Sequence, residues 1–204
     1  MLTIGARRAL LSRPAATLSY VYPVQDTFLK RDDSTVYGAE SYILLKGFGD
    51  GNARFGLLQF DLSYIPVGAT VTSVTLYLYC KTYQNVMRLD TFPLVEGRDD
   101  WDDAFANWIN YKSGAAWAMA GAQHITDDHD GSLPMWTQTL ASDPGLNGEV
   151  KLISTSKAIS AVEARKGRTI TLFIYPPGGA NIIEFYSVET VDRMLRPRLI
   201  VEYT

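Results

Sequence analysis

RFGLLQFDLSYIPVGATVTSVTLYLYC runs from Arg54 to Cys80. Within it Leu58, Phe60 and Leu62 alternate with Gln59 and Asp61, and further on Val74, Leu76, Leu78 and Cys80 alternate with Thr75, Tyr77 and Tyr79. A period of two marks strands with one buried face. The linker Ile65-Pro66-Val67-Gly68-Ala69 is too short for a parallel crossover, and Pro66 and Gly68 are turn residues. The two strands are therefore expected to be antiparallel neighbours.

Upstream, the pattern starts at Tyr20 and runs to Thr27-Phe28-Leu29. A second strand, Ser41 to Phe48, is expected to fold back onto Arg54 through Gly49-Asp50-Gly51-Asn52, whose Asp-Gly pair suits a hairpin turn. Downstream, strands are predicted over Val86–Val95, Val150–Ile153, Thr169–Tyr175, Ile182–Val188 and Leu195–Tyr203. Ser156 to Lys166 is the one convincing helix, with Ser156 or Ser160 as its N-cap and Gly167 as its stop. Roughly ten strands and one short helix predict an all-β fold, a two-sheet antiparallel β-sandwich of jelly-roll type.

The domain plan that follows is an N-terminal arm over residues 1–19 and a single domain over 20–204. Inside the domain, residues 97–148 hold all four tryptophans and both histidines with little periodicity. Long irregular insertions are uncommon in compact domains, and the aromatic content predicts an ordered flap that buries its indoles.

At 204 residues, with 47% apolar and 20% charged residues, the chain can fill one core as a globular domain. A net charge of -3 leaves no basic stripe for phosphates, so nucleic acid is not an expected partner. No apolar run has the length of a bilayer span, and no membrane partner is expected. The lone Cys80 falls on an apolar strand face and reads as a buried structural thiol. In the arm, Arg7, Arg8 and Arg13 interrupt any signal-like apolar segment, so the arm is expected to be retained, as a frayed terminus or, in the sharper alternative, as a segment that docks on a partner surface.

Several fragments resemble a known family. Asp26-Thr27-Phe28, Tyr37-Gly38, the Leu-Leu-x-Phe-Asp-Leu-Ser run ending at Ser63, and Val67–Val71 leading into Leu76-Tyr77-Leu78 are similar to the DNRLRE domain. That jelly-roll module is also described with disaggregatase-related repeats and with one family of carbohydrate-binding modules. The resemblance continues through Trp101, Asn107–Tyr111, Trp117, Ala120-Gly121, Phe185-Tyr186-Ser187 and Arg196–Leu199. It implies a non-catalytic module, in some members binding acidic polysaccharide and in others purely structural. Phage virion proteins also carry such domains.

Catalysis needs paired carboxylates, or a nucleophile beside a positioned base, and none of the usual motifs is present. No enzyme activity is expected. Asp99, Asp100, Asp102 and Asp103 surround Trp101, and Asp127, Asp128 and Asp130 surround His129. Thr126-x-Asp128-x-Asp130-Gly131 resembles half an EF-hand loop without its first and last acids. A solvated acidic loop is the expected reading, with no cofactor. Asp26 and Asp61 are expected to accept hydrogen bonds, with structural calcium as the alternative. Arg54 reads either as a structural ion pair or as the bidentate anchor of a uronate carboxylate. Trp101, Trp117 and Trp136 are candidates to stack on sugar rings, and Tyr77, Tyr79 and Tyr83 form a possible outer-face aromatic row.

Two functions follow as expectations. The first is a virion structural protein, a capsid decoration, fibre or tail-associated component. It would assemble with other virion proteins, or with copies of itself in a capsid or tail lattice, through the jelly-roll flanks and the arm. The alternative is an extracellular or cell-surface module that binds acidic polysaccharide.

Overall fold

The computed structural model describes residues 15–204. In chain order the strands are β1 (Thr17–Val21), β2 (Pro23–Lys30), β3 (Tyr42–Lys46), β4 (Arg54–Asp61), β5 (Val71–Gln84), β6 (Met87–Pro93), β7 (Asn110–Lys112), β8 (Ala115–Ala116), β9 (Trp136–Leu140) and β10 (Glu149–Leu152). Helix α1 (Ser156–Ala164) follows, then β11 (Thr169–Tyr175), β12 (Ile182–Tyr186) and β13 (Arg198–Tyr203). The fold is mostly β and antiparallel, with one short helix among the described residues.

Eleven strands form one curled sheet along the path β1-β13-β5-β12-β3-β4-β11-β6-β9, with β10 added beside β5 and β2 beside β4. Its hinge is β5. The first part of that strand pairs with β13, from Val71↔Tyr203 to Tyr77↔Arg198, and with β10, from Leu76↔Leu152 to Tyr79↔Glu149. The last part pairs with β12, from Cys80↔Phe185 to Gln84↔Ile182. At this change of partner the strict alternation fails, and Leu78, Tyr79 and Cys80 are all buried. Burial pushes the Cys80 thiol up to about 11, in keeping with an inert core cysteine.

β4 and β5 do not pair with each other, contrary to the expectation from residues 54–80. β4 hydrogen-bonds to β2, β3 and β11 instead. The reason is visible in its burial, since every residue from Phe55 to Phe60 is covered. A strand covered on both faces occupies the middle of a sheet, and its chain neighbour pairs elsewhere. Leu58 and Phe60 point into the main core with Val74, Leu76, Phe185 and Val201. Phe55 and Leu57 point the other way, into a second core shared with Trp101, Trp108, Tyr111 and Trp117.

That second core is the underside of the flap. The flap contains the short β7–β8 ladder and, further on, β9, a strand that the sequence reading placed in irregular chain; β9 pairs with β6 and buries Trp136 and Leu140 in the main core. β9 has only Trp136 and Leu140 buried among exposed or half-buried residues, a pattern too short to stand out. The first strand likewise begins three residues before Tyr20, because Thr17–Ser19 pair with Val201–Tyr203. The helix cap is neither serine considered above. Thr155 Oγ1 accepts the Ala158 N–H at 3.0 Å and donates to the Met135 carbonyl at 2.6 Å, which ties the helix start to β9.

Tyr77, Tyr79 and Tyr83 do not form a bare row. Arg198 lies 4.8 Å and Lys151 5.1 Å from the Tyr77 ring centroid, Tyr79 donates to Glu149 at 3.2 Å, and Tyr83 donates to the Leu140 carbonyl at 2.7 Å. Cations and acceptors on adjacent strands cover these tyrosines.

Gly121 shows how tightly the flap closes. Its φ is +78°, and an added Cβ would sit 2.5 Å from the Trp108 ring. Gly121→Ala is expected to cost at least about 1–3 kcal/mol from the backbone conformation alone, with displacement of Trp108 on top. Chemical denaturation followed by tryptophan fluorescence would measure it.

Candidate functional site

Arg54 opens β4 between two lysines, Lys30 across from it on β2 and Lys46 across from it on β3. Each lysine is held by an aspartate. Lys46 Nζ donates to Asp50 at 2.5 Å, and Lys30 Nζ donates to Asp33 at 2.6 Å. Asp33 also accepts the Tyr37 hydroxyl at 3.0 Å and the Thr35 N–H at 2.8 Å. These donors, Lys30 foremost, hold its carboxyl well below the usual range. Arg54 itself is half-buried and makes no ion pair among the described residues.

Beside this row stands a set of rings. Phe28 stacks on Tyr37 at 4.2 Å and on Tyr42 at 5.9 Å, and Lys81 Nζ sits 4.4 Å from the Tyr42 centroid. Both tyrosines are half-buried. Burial, then the Glu40 and Glu184 carboxylates, push the Tyr42 hydroxyl up, while the charge of Arg54 pulls it down. Lys81 thus lies over a half-exposed ring that stacks on Phe28 beside Tyr37, and Arg54 adds a further positive charge to the same face.

The other residues singled out from the sequence lie elsewhere. Trp101, Trp117 and Trp136 are 3%, 5% and 2% exposed, so none offers a face for stacking on a sugar. Trp101 donates to Thr171 Oγ1 at 3.1 Å and Trp117 to the Asn107 carbonyl at 2.9 Å, which completes their role as core residues. Arg7, Arg8 and Arg13 lie outside the described residues.

Asp26 and Asp61 do not form a metal pair. Asp26 is 1% exposed and accepts the Val188 N–H at 2.6 Å, whereas Asp61 ends β4 and accepts the Ser63 N–H at 2.8 Å. No group of three or more His, Cys, Asp or Glu side chains is placed to hold a metal ion among the described residues. The acid-rich flap is not a uniformly solvated loop either. Asp128 is fully buried and accepts the N–H groups of Ala118 (2.8 Å), Met119 (2.9 Å) and His124 (3.1 Å) as well as Arg98 Nε (3.2 Å). Asp99 pairs with Arg165 at 2.5 Å and accepts the Thr171 N–H at 3.1 Å, which pins the flap to β11 and the end of α1.

A half-exposed aromatic ring with a cation over it offers both an apolar face and a positive charge at the surface of the sheet. The family model of carbohydrate-binding module family 96 matches residues 17–126, and the chain belongs to that family. The match takes in Lys30, Tyr37, Tyr42, Arg54 and Lys81 and stops before Asp128. No curated protein matches the chain. Among solved structures, one of infectious bursal disease virus, strain Gx, aligns over the whole of this chain and 42% of its own, at 12% identity and a TM-score of 0.24. At that score it carries no argument about fold or about a virion role.

The sequence reading found Arg54 but missed its companions. Tyr42 and Lys81 come from strands far apart in the chain, and only the order β5-β12-β3-β4 brings them together. The Tyr37-Gly38 fragment was the one available hint.

Two outcomes test this picture. Burial, with Glu189 next, raises the Asp26 carboxyl well above its model-compound value of 3.8, so the fold favours the protonated form. The stability this contributes is complete below 3.8 and is lost as pH rises through the higher folded value. Asp26→Asn, which cannot ionise, should therefore gain stability over the parent as pH rises from about 4 to 7, as read by urea denaturation across that range. Asp128→Ala removes the acceptor of the half-buried Arg98 and of three N–H groups and should cost about 1–3 kcal/mol. Hydrogen exchange should show the protection loss centred on residues 118–129.

Proposed function

We propose that this domain is a non-catalytic module that binds an acidic polysaccharide, with Arg54 gripping a uronate carboxylate. The observation that carries the reading is the unpaired, half-buried Arg54 beside two lysines already committed to aspartates. Membership of a carbohydrate-binding family supports it. A guanidinium presents two parallel N–H donors to a carboxylate, and partial burial strengthens that bond relative to water. Tyr42 and Tyr37 supply apolar ring surface for the C–H face of the sugar, and Lys81 adds a second positive charge for the chain of the ligand.

The surrounding Glu40 and Glu184 limit the site to a local recognition point. A general polyanion attracted only by net charge gains little from a protein that is itself negative. Binding is thus expected to depend on where the carboxylate sits, which is the signature of a uronan. In our reading the curled sheet is a two-sheet sandwich of jelly-roll type over residues 20–204, since the inner faces of β4, β5, β11 and β13 close on one core. A polysaccharide target places its work at an extracellular or cell-surface location.

Affinity electrophoresis in gels containing alginate or polygalacturonate, against hydroxyethyl cellulose as the neutral control, tests the proposal. The parent should be retarded by a uronan alone, and Arg54→Ala should weaken retardation roughly ten- to a hundredfold, the value of one charge-assisted hydrogen-bonded contact. Arg54→Lys should recover only part. Equal mobility of parent and Arg54→Ala in every gel would overturn the assignment.

A further inference from the structure

Where the flap meets the outer ends of β6 and β11, a cleft of about 210 Å³ opens between Phe92, Phe173 and Tyr175 on the sheet and Ile125, His129 and Gly131 on the flap. Arg54 is not among its lining residues, none of which is a cation other than by protonation of the histidine. His129 is its chemical centre. The side chain is 6% exposed, with its ring tilted between Phe92 (5.1 Å) and Phe173 (4.9 Å).

The hydrogen bonding of that ring is decided by one contact. Nδ1 lies 2.8 Å from the Ala122 carbonyl, which can only accept, so Nδ1 carries the hydrogen. Nε2 is then left with its lone pair and has no protein hydrogen-bond partner among the described residues. Burial lowers the tendency of the ring to take a second proton, so the lone pair persists at neutral pH. Gly131 keeps this nitrogen open, because an added Cβ there would lie 3.0 Å from Nε2. The neighbouring acids are spoken for, Asp128 by Arg98 and Asp130 by Lys157 at 2.6 Å.

We propose that this cleft is a second ligand site, selective for an uncharged pyranose ring, with a sugar hydroxyl donating to His129 Nε2. Nε2 opens onto the cleft with no protein partner among the described residues, so water or a ligand donor satisfies it, and a hydroxyl is the donor that fits a site with no anion to hold an ammonium. The Phe92 and Tyr175 rings and the Ile125 side chain receive the C–H face of the sugar. Gln123 adds a second polar contact. Its Nε2 is committed to the Ala120 carbonyl at 2.6 Å, which leaves its Oε1 to accept from an adjacent hydroxyl. Backbone strain supports the build of the loop, since Ala122 and Thr126 hold φ of 59° and 88° on either side of His124 and Ile125.

The site rests on different residues from Arg54, and the two readings fail separately. Nitrogen-detected NMR of the full chain, titrated with methyl β-D-glucoside, methyl β-D-galactoside and methyl α-D-mannoside, reads it directly. A saturable shift of the His129 Nε2 resonance with at least one of these glycosides is expected. Gly131→Ala should weaken that response roughly five- to tenfold, the value of one lost hydrogen bond, and Arg54→Ala should leave it unchanged. Gln123→Ala, at a partly exposed position, should weaken it as well and serves if Gly131→Ala disturbs the fold. No saturable shift with any of the three glycosides, or a response untouched by both flap variants, would overturn the proposal. Loss of uronan retardation in the parent alone would overturn only the Arg54 assignment.

Discussion

Fourteen consecutive residues, Val71 to Gln84, hydrogen-bond in turn to β13, β10 and β12, and this single strand holds the curled sheet together. Its length makes the curl obligatory. A straight strand of this size would carry its far end out of the sheet it started in, so the chain bends where Leu78, Tyr79 and Cys80 are buried in succession. The bend turns the faces of β4, β11 and β12 onto those of β5 and β13, and the main core closes between them. Pairing along both edges of β5 satisfies backbone groups removed from water, which is the condition for burying so long a segment.

The flap depends on the sheet for its floor and on one carboxylate for its shape. Phe55, Leu57 and Phe173 form an apolar outer face that would be a liability if left open, and the flap tryptophans cover it. Asp128 gathers three amides and an arginine at the centre of a segment otherwise short of regular hydrogen bonding. The low dielectric around it makes those bonds strong and their loss expensive. What the sequence presents as a solvated acidic loop holds a polar keystone at Asp128, because the acids alternate between solvent and interior.

The contrast between the two aromatic sets explains where ligands can go. Tryptophans in the flap look like stacking platforms by composition, yet each is buried, and the N–H groups of Trp101 and Trp117 are already satisfied inside. Tyrosines 37 and 42 are half-buried on a rigid strand and loop, with Arg54 and Lys81 beside them. A rigid half-exposed ring loses little freedom on binding, which is the more effective arrangement for a weakly held sugar chain.

Period-two alternation, turn residues and the spacing of Thr169–Tyr175 were enough to establish from the sequence an all-β chain, most strand positions, one helix and a buried Cys80. Arg54 was legible too, as a lone cation at the mouth of an apolar strand. Strand partners were not, since β4 and β5 are sequence neighbours with matching patterns and pair with different strands. Alternation reports which side of a strand is buried and says nothing about which strand lies beside it. The Tyr42–Arg54–Lys81 grouping, the Asp128 hub and the His129 cleft belong to the tertiary structure alone, because each is assembled across long-range pairings whose choice depends on the packing of the whole core.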